Sequence, residues 1–486
     1  MEKNIMQLTP DMAPPPRCIA DLPGPKGRPL FGNVRDIRAR PFHQVMEGWA
    51  REHGPLYRFT IMRRQMLATA DRELVATLLR DRPDLIRRST RSAEMLNEVG
   101  TRGLFTAEGE DWRRQRKLVM RALTPEVIHN FFPTLAAMTE RLRLRWAAAL
   151  AAGRPVDLLR DLKAYTLDVT IGLAMGQDIN TLELEAHPLQ RDIEFLFKLV
   201  ARRLTSPFTY WRVPVLKRAQ DREADAAAAR IQQAIFGFIV DARKRIADNP
   251  ALRQKPSNML EALIVARDEP NSGFTDEEVV GNAITMVFAG EDTTSNTMAW
   301  LLEFLGDHPQ AAARMGEEAR QVLGERVVLD DYHLLDQLKY LDAATREAMR
   351  LKPVAPFMAA ETNQDVVLGD LAVPAGTVIF LLLRRASERD CELAQPERFM
   401  PERWLEGGEP HSGERPANDP GRKLFPFGGG PRFCPGRYLA MAEIKMAMSM
   451  LARNFTLERV PGAPPANECF TFTMTPDALP VRLAHN

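Results

Sequence analysis

Phe427-Gly-Gly-Gly-Pro-Arg-Phe-Cys-Pro-Gly436 is the stretch on which the reading of this chain turns. Its glycines let a backbone approach a flat ligand closely. Cys434 falls just before a last helix predicted over Arg437–Asn454, with Pro435 suited to a first helical position. A helix N-terminus and a nearby arginine both favour thiolate over thiol. The plain alternative is a glycine-rich turn around an inert buried cysteine. Phe427, Gly430, Arg432, Cys434 and Gly436 fit the spacing F-x-x-G-x-R-x-C-x-G. Average composition produces that match roughly once in ten million positions, which favours the chemical reading.

The rest of the chain sets the context. It has 486 residues, 45% apolar and 27% charged, the composition of a soluble globular protein. Lys plus Arg is 65 against 64 Asp plus Glu, a net charge of +1 that argues against a dedicated nucleic-acid binder. Four cysteines, and 36 Pro with 29 Gly in no period, exclude a disulfide scaffold, collagen and disorder. Glu2, Lys3, Asp11 and the Pro14–Pro16 run do not suit a secretory signal. No apolar run reaches the roughly 18 residues of a membrane span. A cytoplasmic monomer without a membrane span is expected, with Cys18, Cys391, Cys434 and Cys469 as thiols. Residues 1–21 read as a flexible N-terminal segment and 22–486 as one large domain.

The predicted fold class is mostly α with a minor β region. Leu56–Ile61 and Gln65–Ala70 read as a hairpin around Met62–Arg64, and Asp71 caps a helix carrying Leu74, Val75, Leu78 and Leu79 on one face. From about Asp111 to Arg350 the pattern is helical, interrupted at Pro125, Pro188, Pro214 and Pro250. Asp365–Leu368 turns at Gly369-Asp370, and Val378–Leu383 is a strand. Coil covers Gln395–Gly430, including the polar loop Glu406–Gly421. Neither an internal repeat nor a glycine-rich nucleotide-binding turn is present, so no fused reductase is expected.

One helix breaks local rules. Thr275-Asp-Glu-Glu278 is a capping box opening an apolar segment to about His308. Its middle reads Ala289-Gly-Glu-Asp-Thr-Thr-Ser-Asn-Thr297, residue types that suit a helix interior poorly. A buried Asp also costs free energy unless it is satisfied. Such failures mid-helix mark function. Ser/Thr bonding to the carbonyl four residues back, with Gly290 lacking a side chain, opens a notch for a diatomic ligand. The competing reading is a packing notch between helices.

A cysteine thiolate is the axial ligand that pushes electron density onto haem iron and favours O–O cleavage. Phe427, with Pro426 before it, shields the sulfur on this reading, and Arg432 pairs a propionate. The loop closely resembles the haem-binding loop of cytochrome P-450 enzymes, the haem-thiolate monooxygenases. The central segment resembles that family's A-G-x-D-T-T motif. The resemblance implies a single cytochrome P-450 haem domain over 22–486 and the cofactor haem b (iron protoporphyrin IX), held between the long central helix and the cysteine-loop helix. It implies Cys434 as the metal ligand and Ala289, Gly290, Phe427, Arg432 and Gly436 around the cofactor. Thr293 then hydrogen-bonds the activated oxygen, and Asp292, beside Glu291, feeds protons towards it through water.

Further motifs fit the same family. Glu347-Ala-Met-Arg350 matches E-x-x-R, completed by Arg403 of Pro401-Glu-Arg-Trp404 rather than Arg398 of Pro396-Glu-Arg-Phe399. Trp112 and Arg116, i and i+4, resemble the W-x-x-x-R propionate contact. Two departures stand out: no arginine lies near Ala360–Glu361, where the family often binds a propionate, and Glu388 precedes Arg389-Asp390-Cys391 where His and Pro are common. The pocket is expected from Met95–Phe105, Phe288, Ala289, Ala355–Met358 with Phe357 in it, and Phe472–Met474, under a mobile roof from Ile193–Trp211. Its apolar lining favours a lipophilic small-molecule substrate. The implied electron donor is a ferredoxin- or flavodoxin-type protein with its reductase, docking near Arg113, Arg114 and Lys117. The alternatives are a peroxide-driven peroxygenase and a non-catalytic haem gas sensor or carrier.

Overall fold

Proline and capping residues set the helix boundaries. The computed structural model describes residues 16–184, 187–204, 206, 208–270, 272–388, 395–405 and 424–485. Pro125 and Pro188 open the helices Pro125–Ala151 and Pro188–Leu204, where the missing N–H costs nothing. Pro214 and Pro250 open short 3-10 turns instead. The predicted capping box is present: Glu278 N donates to Thr275 Oγ1 and Thr275 N to Glu278 Oε2, starting the 32-residue helix Asp276–Asp307. The last helix spans Arg437–Asn454.

Most of the core gathers around Asp276–Asp307 and the helix Leu158–Met175, which is buried along most of its length. Gly290 shows how closely these two cross. A Cβ built there would lie 2.1 Å from Thr170 Oγ1. The absent side chain is therefore accounted for by helix packing, the competing reading above.

The minor β region is a five-stranded sheet in the order Leu56–Ile61, Arg64–Thr69, Val378–Leu381, Met358–Thr362, Ile86–Arg88, with three two-stranded ribbons. The first hairpin turns over Met62 and Arg63, Met62 taking φ 54°, so its second strand lies one residue earlier than expected. The strand predicted over Val378–Leu383 stops at Leu381, and a helix Leu383–Glu388 follows. The turn carries Arg384 inward, where Glu47 takes both its Nε (2.8 Å) and Nη2 (2.6 Å).

The end of the segment expected to be flexible is held. Arg17 pairs with Asp370 at 2.6 and 2.8 Å, and Ile19–Asp21 form a 3-10 turn. The first 15 residues, Arg389-Asp390-Cys391 and the loop Glu406–Gly421 lie outside the described residues. Among the described residues no helix is long and apolar enough to cross a membrane.

Candidate active site

The cysteine loop is braced from behind. Cys434 N donates to the Phe427 carbonyl at 2.8 Å, and Gly428 N to the Phe425 carbonyl at 3.0 Å. Gly430 has φ 61°, and a Cβ there would lie 2.0 Å from the Leu79 carbonyl oxygen. This glycine thus serves close packing on the helix Arg72–Arg80. Pro426 lines a small cleft with Met349, Arg350 and Leu383. Gly436, not Pro435, is the residue capping the last helix, which begins at Arg437. Enclosure pushes the Cys434 thiol above the usual range, while the Gly436 N–H, Arg116 and Arg437 pull it back. The expected thiolate-favouring groups are present, and burial outweighs them.

The central helix carries the expected back-bonding. Thr293 Oγ1 donates to the Ala289 carbonyl at 2.6 Å, Ser295 Oγ to the Glu291 carbonyl at 2.6 Å, and Thr297 Oγ1 to the Thr293 carbonyl at 2.8 Å. Asp292 is 1% exposed. Its Oδ1 accepts from Asn296 Nδ2 (3.0 Å) and its Oδ2 from Thr473 Oγ1 (2.6 Å). Thr475 Oγ1 donates to Asn296 Oδ1 at 2.8 Å, so the Thr473–Thr475 segment is stitched onto the helix. Burial raises Asp292, against Lys163 and these hydrogen bonds. Lys163 Nζ lies 4.0 Å from Asp292 Oδ1 and 3.9 Å from Glu194 Oε1, linking the buried carboxyl to a partly exposed one. Glu291 is enclosed and pushed well up by burial, and neither carboxylate oxygen has a hydrogen-bond partner among the described residues. Sequence reasoning missed Lys163, and it placed Thr473 in the pocket lining and Asn296 in the helix notch without pairing either with Asp292. Only Asn296, four residues after Asp292, carried a signal.

Glu443 of the cysteine-loop helix is a carboxyl raised far by burial, with Thr294 of the central helix opposing the rise. At the other edge, Arg432 Nη2 donates to the Ala107 carbonyl (2.7 Å) and to Glu108 Oε2, and its guanidinium lies 4.6 Å from the Trp112 ring centre. Burial and the cations Arg82 and Arg116 bring Arg432 down to about 10, against Glu108. Its buried Nε finds no partner among the described residues. Arg116 turns to the loop, donating to the Phe433 carbonyl at 2.7 Å. A half-buried thiol before a helix, flanked by enclosed guanidiniums with unused donors, suits a metal-bearing dianion such as haem.

The support expected from Glu347, Arg350 and Arg403 comes together. Arg350 donates to Glu347 at 2.9 and 2.8 Å, and Arg403 Nε at 2.9 Å. Trp404 Nε1 adds a bond of 2.8 Å that sequence reasoning missed. Arg398 supplies only its backbone carbonyl to Arg350, at 3.2 Å.

The expected pocket residues separate into groups. Phe197 meets Phe288 edge-on at 5.2 Å and stacks on Phe472 at 4.8 Å, with Phe105 6.2 Å from Phe472. Phe357 instead joins Phe42, Phe380 and Phe470 over the sheet. Met358 Sδ takes Arg82 Nη1 at 3.3 Å, and Ala355 is exposed. The roof is tied down by Trp211 Nε1 and Arg212 Nε on Glu98, at 2.9 and 2.6 Å. Of the basic trio, Arg113 pairs with Asp84 and Glu110, and Arg114 with Glu278 and Asp111. Lys117 is exposed and has no ion pair among the described residues.

A thiol loop under a long helix with a buried acid and threonine defines the haem-thiolate class. The cytochrome P450 family model matches residues 22–481, and the chain belongs to that family. Its cofactor is therefore haem, bound through a cysteine thiolate, and it is an oxygen-incorporating oxidoreductase. It is 25% identical over 456 residues to the chloroplastic protein LUTEIN DEFICIENT 5 of Arabidopsis thaliana, covering 92% of this chain and 74% of that protein. It is 27% identical over 481 residues to the mitochondrial 25-hydroxyvitamin D-1 alpha hydroxylase of Homo sapiens, covering 95% and 91%. A self-sufficient cytochrome P450 monooxygenase of Exserohilum turcicum is 28% identical over 453 residues. That match takes in 92% of this chain but only 40% of the relative's length.

Proposed function

We propose that residues 22–486 form one haem domain that hydroxylates a lipophilic small molecule. Electrons come from a separate ferredoxin- or flavodoxin-type donor with its reductase. Cys434 ligates the iron, on the strength of its place before the helix Arg437–Asn454. When bound, haem supplies oxygen activation and one-electron chemistry. The chain's own groups do the rest. Asp292, which burial biases towards its protonated form, takes up and passes on protons next to Thr293, whose hydroxyl is positioned by the Ala289 carbonyl. Lys163 and Glu194 offer that carboxyl an exchange route outward. Phe197, Phe288 and Phe472 exclude water and present ring faces and edges to an apolar substrate.

The observation that carries this over a peroxide-driven enzyme or a gas carrier is the buried Asp292–Thr473–Asn296 network beside Thr293. Proton delivery from a buried, hydrogen-bonded acid serves dioxygen cleavage, whereas ready-made peroxide or simple gas binding does not need it. The test has two parts. The reduced carbon-monoxide complex should show the red-shifted Soret band of thiolate ligation, lost in Cys434→Ser. With ferredoxin or flavodoxin and reductase, a lipophilic panel scored by spin shift should yield hydroxylated product faster than with hydrogen peroxide alone. Faster product with peroxide would reverse the reading.

A further inference from the structure

The helix Ala219–Asp248 buries Ile231, Ile235, Ile239 and Ile246, the apolar stripe of an amphipathic helix. Its outer face departs from the polar surface that pattern calls for. Phe236 is 54% exposed and Val240, one turn later, 65%. Among the described residues no other α-helix exposes two large apolar side chains a turn apart. Gly237 borders them, and a Cβ built there would meet nothing within 4 Å. No contact within the chain therefore asks for a glycine, a residue that weakens a helix interior.

The exposed positions along this face are Asp225, Ala229, Gln233, Phe236, Val240 and Lys244. Their steps of 4, 4, 3, 4 and 4 residues keep all six within about 100° of the helix circumference. That spacing reads the same in both directions. An antiparallel second copy, related by a two-fold axis between Gln233 and Phe236, meets the first position for position. Asp225 then falls opposite the second copy's Lys244, Ala229 opposite Val240, and Gln233 opposite Phe236. Each pair is complementary: acid on base, small side chain on branched, flat amide on aromatic ring. A parallel copy in register would instead set Lys244 on Lys244 and Asp225 on Asp225, which like charges oppose.

The charges needed are available. Lys244 is exposed and has no ion pair among the described residues. Its neighbour Arg243 is drawn within the chain to Asp268 and Asp276. Asp225 pairs with Lys217 and keeps 54% of its side chain exposed, and a carboxylate can accept more than one donor.

We propose that the chain forms a two-fold dimer by antiparallel packing of Ala219–Asp248 on the same helix of a second copy, in place of the monomer expected from the sequence. The proposal does not depend on the haem reading. One helix pair is a small interface, so modest affinity is expected. The test is sedimentation velocity of the haem-loaded enzyme from about 1 to 100 µM. It compares wild type with Phe236→Glu, Val240→Glu, Asp225→Lys, Lys244→Glu and the double charge exchange Asp225→Lys with Lys244→Glu.

Wild type should pass from monomer to dimer over that range. Phe236→Glu and Val240→Glu should each weaken the dimer by about tenfold or more, since both copies then bury a charge. Each single charge reversal should weaken it about three- to tenfold, and the double exchange should return it to within about threefold of wild type. All variants should keep the wild-type spectrum of the reduced carbon-monoxide complex, which separates lost association from lost fold. If Phe236→Glu does not fold, Val240→Glu carries the comparison. A monomer throughout the range would overturn the proposal, as would a dimer unmoved by both glutamates. A dimer broken by the glutamates but not recovered by the charge exchange would overturn the antiparallel register and the proposal with it. A monomer that binds vesicles of phosphatidylcholine and phosphatidylglycerol through Phe236 would give this face to a lipid surface instead.

Discussion

Thr473 and Asp292, 181 residues apart in sequence, are joined by a 2.6 Å hydrogen bond in which the threonine hydroxyl donates to the carboxylate. The same hydroxyl accepts from Asn296 Nδ2 at 2.9 Å, so one C-terminal residue organises both polar groups on the buried face of the central helix. Burial raises Asp292, and the Thr473 bond opposes that rise. Thr473→Val should therefore raise Asp292 further. The limb of the pH–turnover profile that reports its ionisation should move to higher pH, with stability lower by about 1–3 kcal/mol. An unmoved limb would separate Asp292 from proton delivery.

Thr293 donates to the Ala289 carbonyl, which lies within the helix Asp276–Asp307. Losing this one local bond should cost about 1 kcal/mol or less. Thr293→Ala should bind haem normally but divert reducing equivalents to hydrogen peroxide. The ratio of product to NADPH consumed, with peroxide measured alongside, checks this.

Gly290 faces Thr170 across the helix crossing, and a Cβ would meet its Oγ1 at 2.1 Å and its Cγ2 at 2.7 Å. Gly290→Ala should destabilise by about 1–3 kcal/mol through overpacking. Thr170→Ala removes the two closest of these atoms and keeps the Cβ at 2.9 Å, so the double variant should recover part of the loss. A double-mutant cycle in urea, with a coupling energy clearly different from zero, is the expected result.

Glu347 is fully buried and receives Arg350, Arg403, Trp404 and the Met400 N–H. Glu347→Gln strands two arginines without their counter-ion. Breaking such a buried pair costs about 3–5 kcal/mol, so haem-loaded protein should fall sharply in yield and in denaturant midpoint.

Glu468 gathers four side chains from three segments, His43 (2.7 Å) and Gln44 (3.1 Å) of one helix, Lys352 (2.6 Å) and Arg384 (2.7 Å). Burial acts to raise its carboxyl, but the His43 and Arg384 hydrogen bonds and the charges of Arg384 and Lys352 outweigh it and hold it far below the usual range. A depressed carboxyl stabilises the fold above its unfolded pKa, about 4.3, and that stability is lost as pH falls towards the folded value. The stability gap between wild type and Glu468→Gln should be full near pH 7 and narrow steadily below about pH 4. Chemical denaturation at several pH values measures it.

Local signals explain what was legible. The capping box at Thr275–Glu278, the prolines opening helices at Pro125 and Pro188, and the Asp71 cap all act within a few residues, so they read straight from the chain. The Cys434 loop and the Glu347–Arg350 spacing were equally visible. Less legible were readings that depended on which distant neighbour a side chain would meet, although Arg403 was matched to Glu347. Gly290 looked like a ligand notch and is a helix-crossing contact with Thr170. Phe357 looked like pocket lining and belongs to the aromatic cluster over the sheet.

By itself the sequence determined the helical order, the thiol before the last helix and the acid–alcohol pair in the central helix, because periodicity, caps and motif spacing are short-range. Only the tertiary structure decided that Thr473 satisfies Asp292, that Lys163 faces it, and that Arg82 and Arg88 converge on Arg432. Those partners come from segments more than a hundred residues apart or from cross-strand register. Burial then makes each such meeting matter, since a charge or hydroxyl removed from water must find its partner in whatever the fold brings alongside.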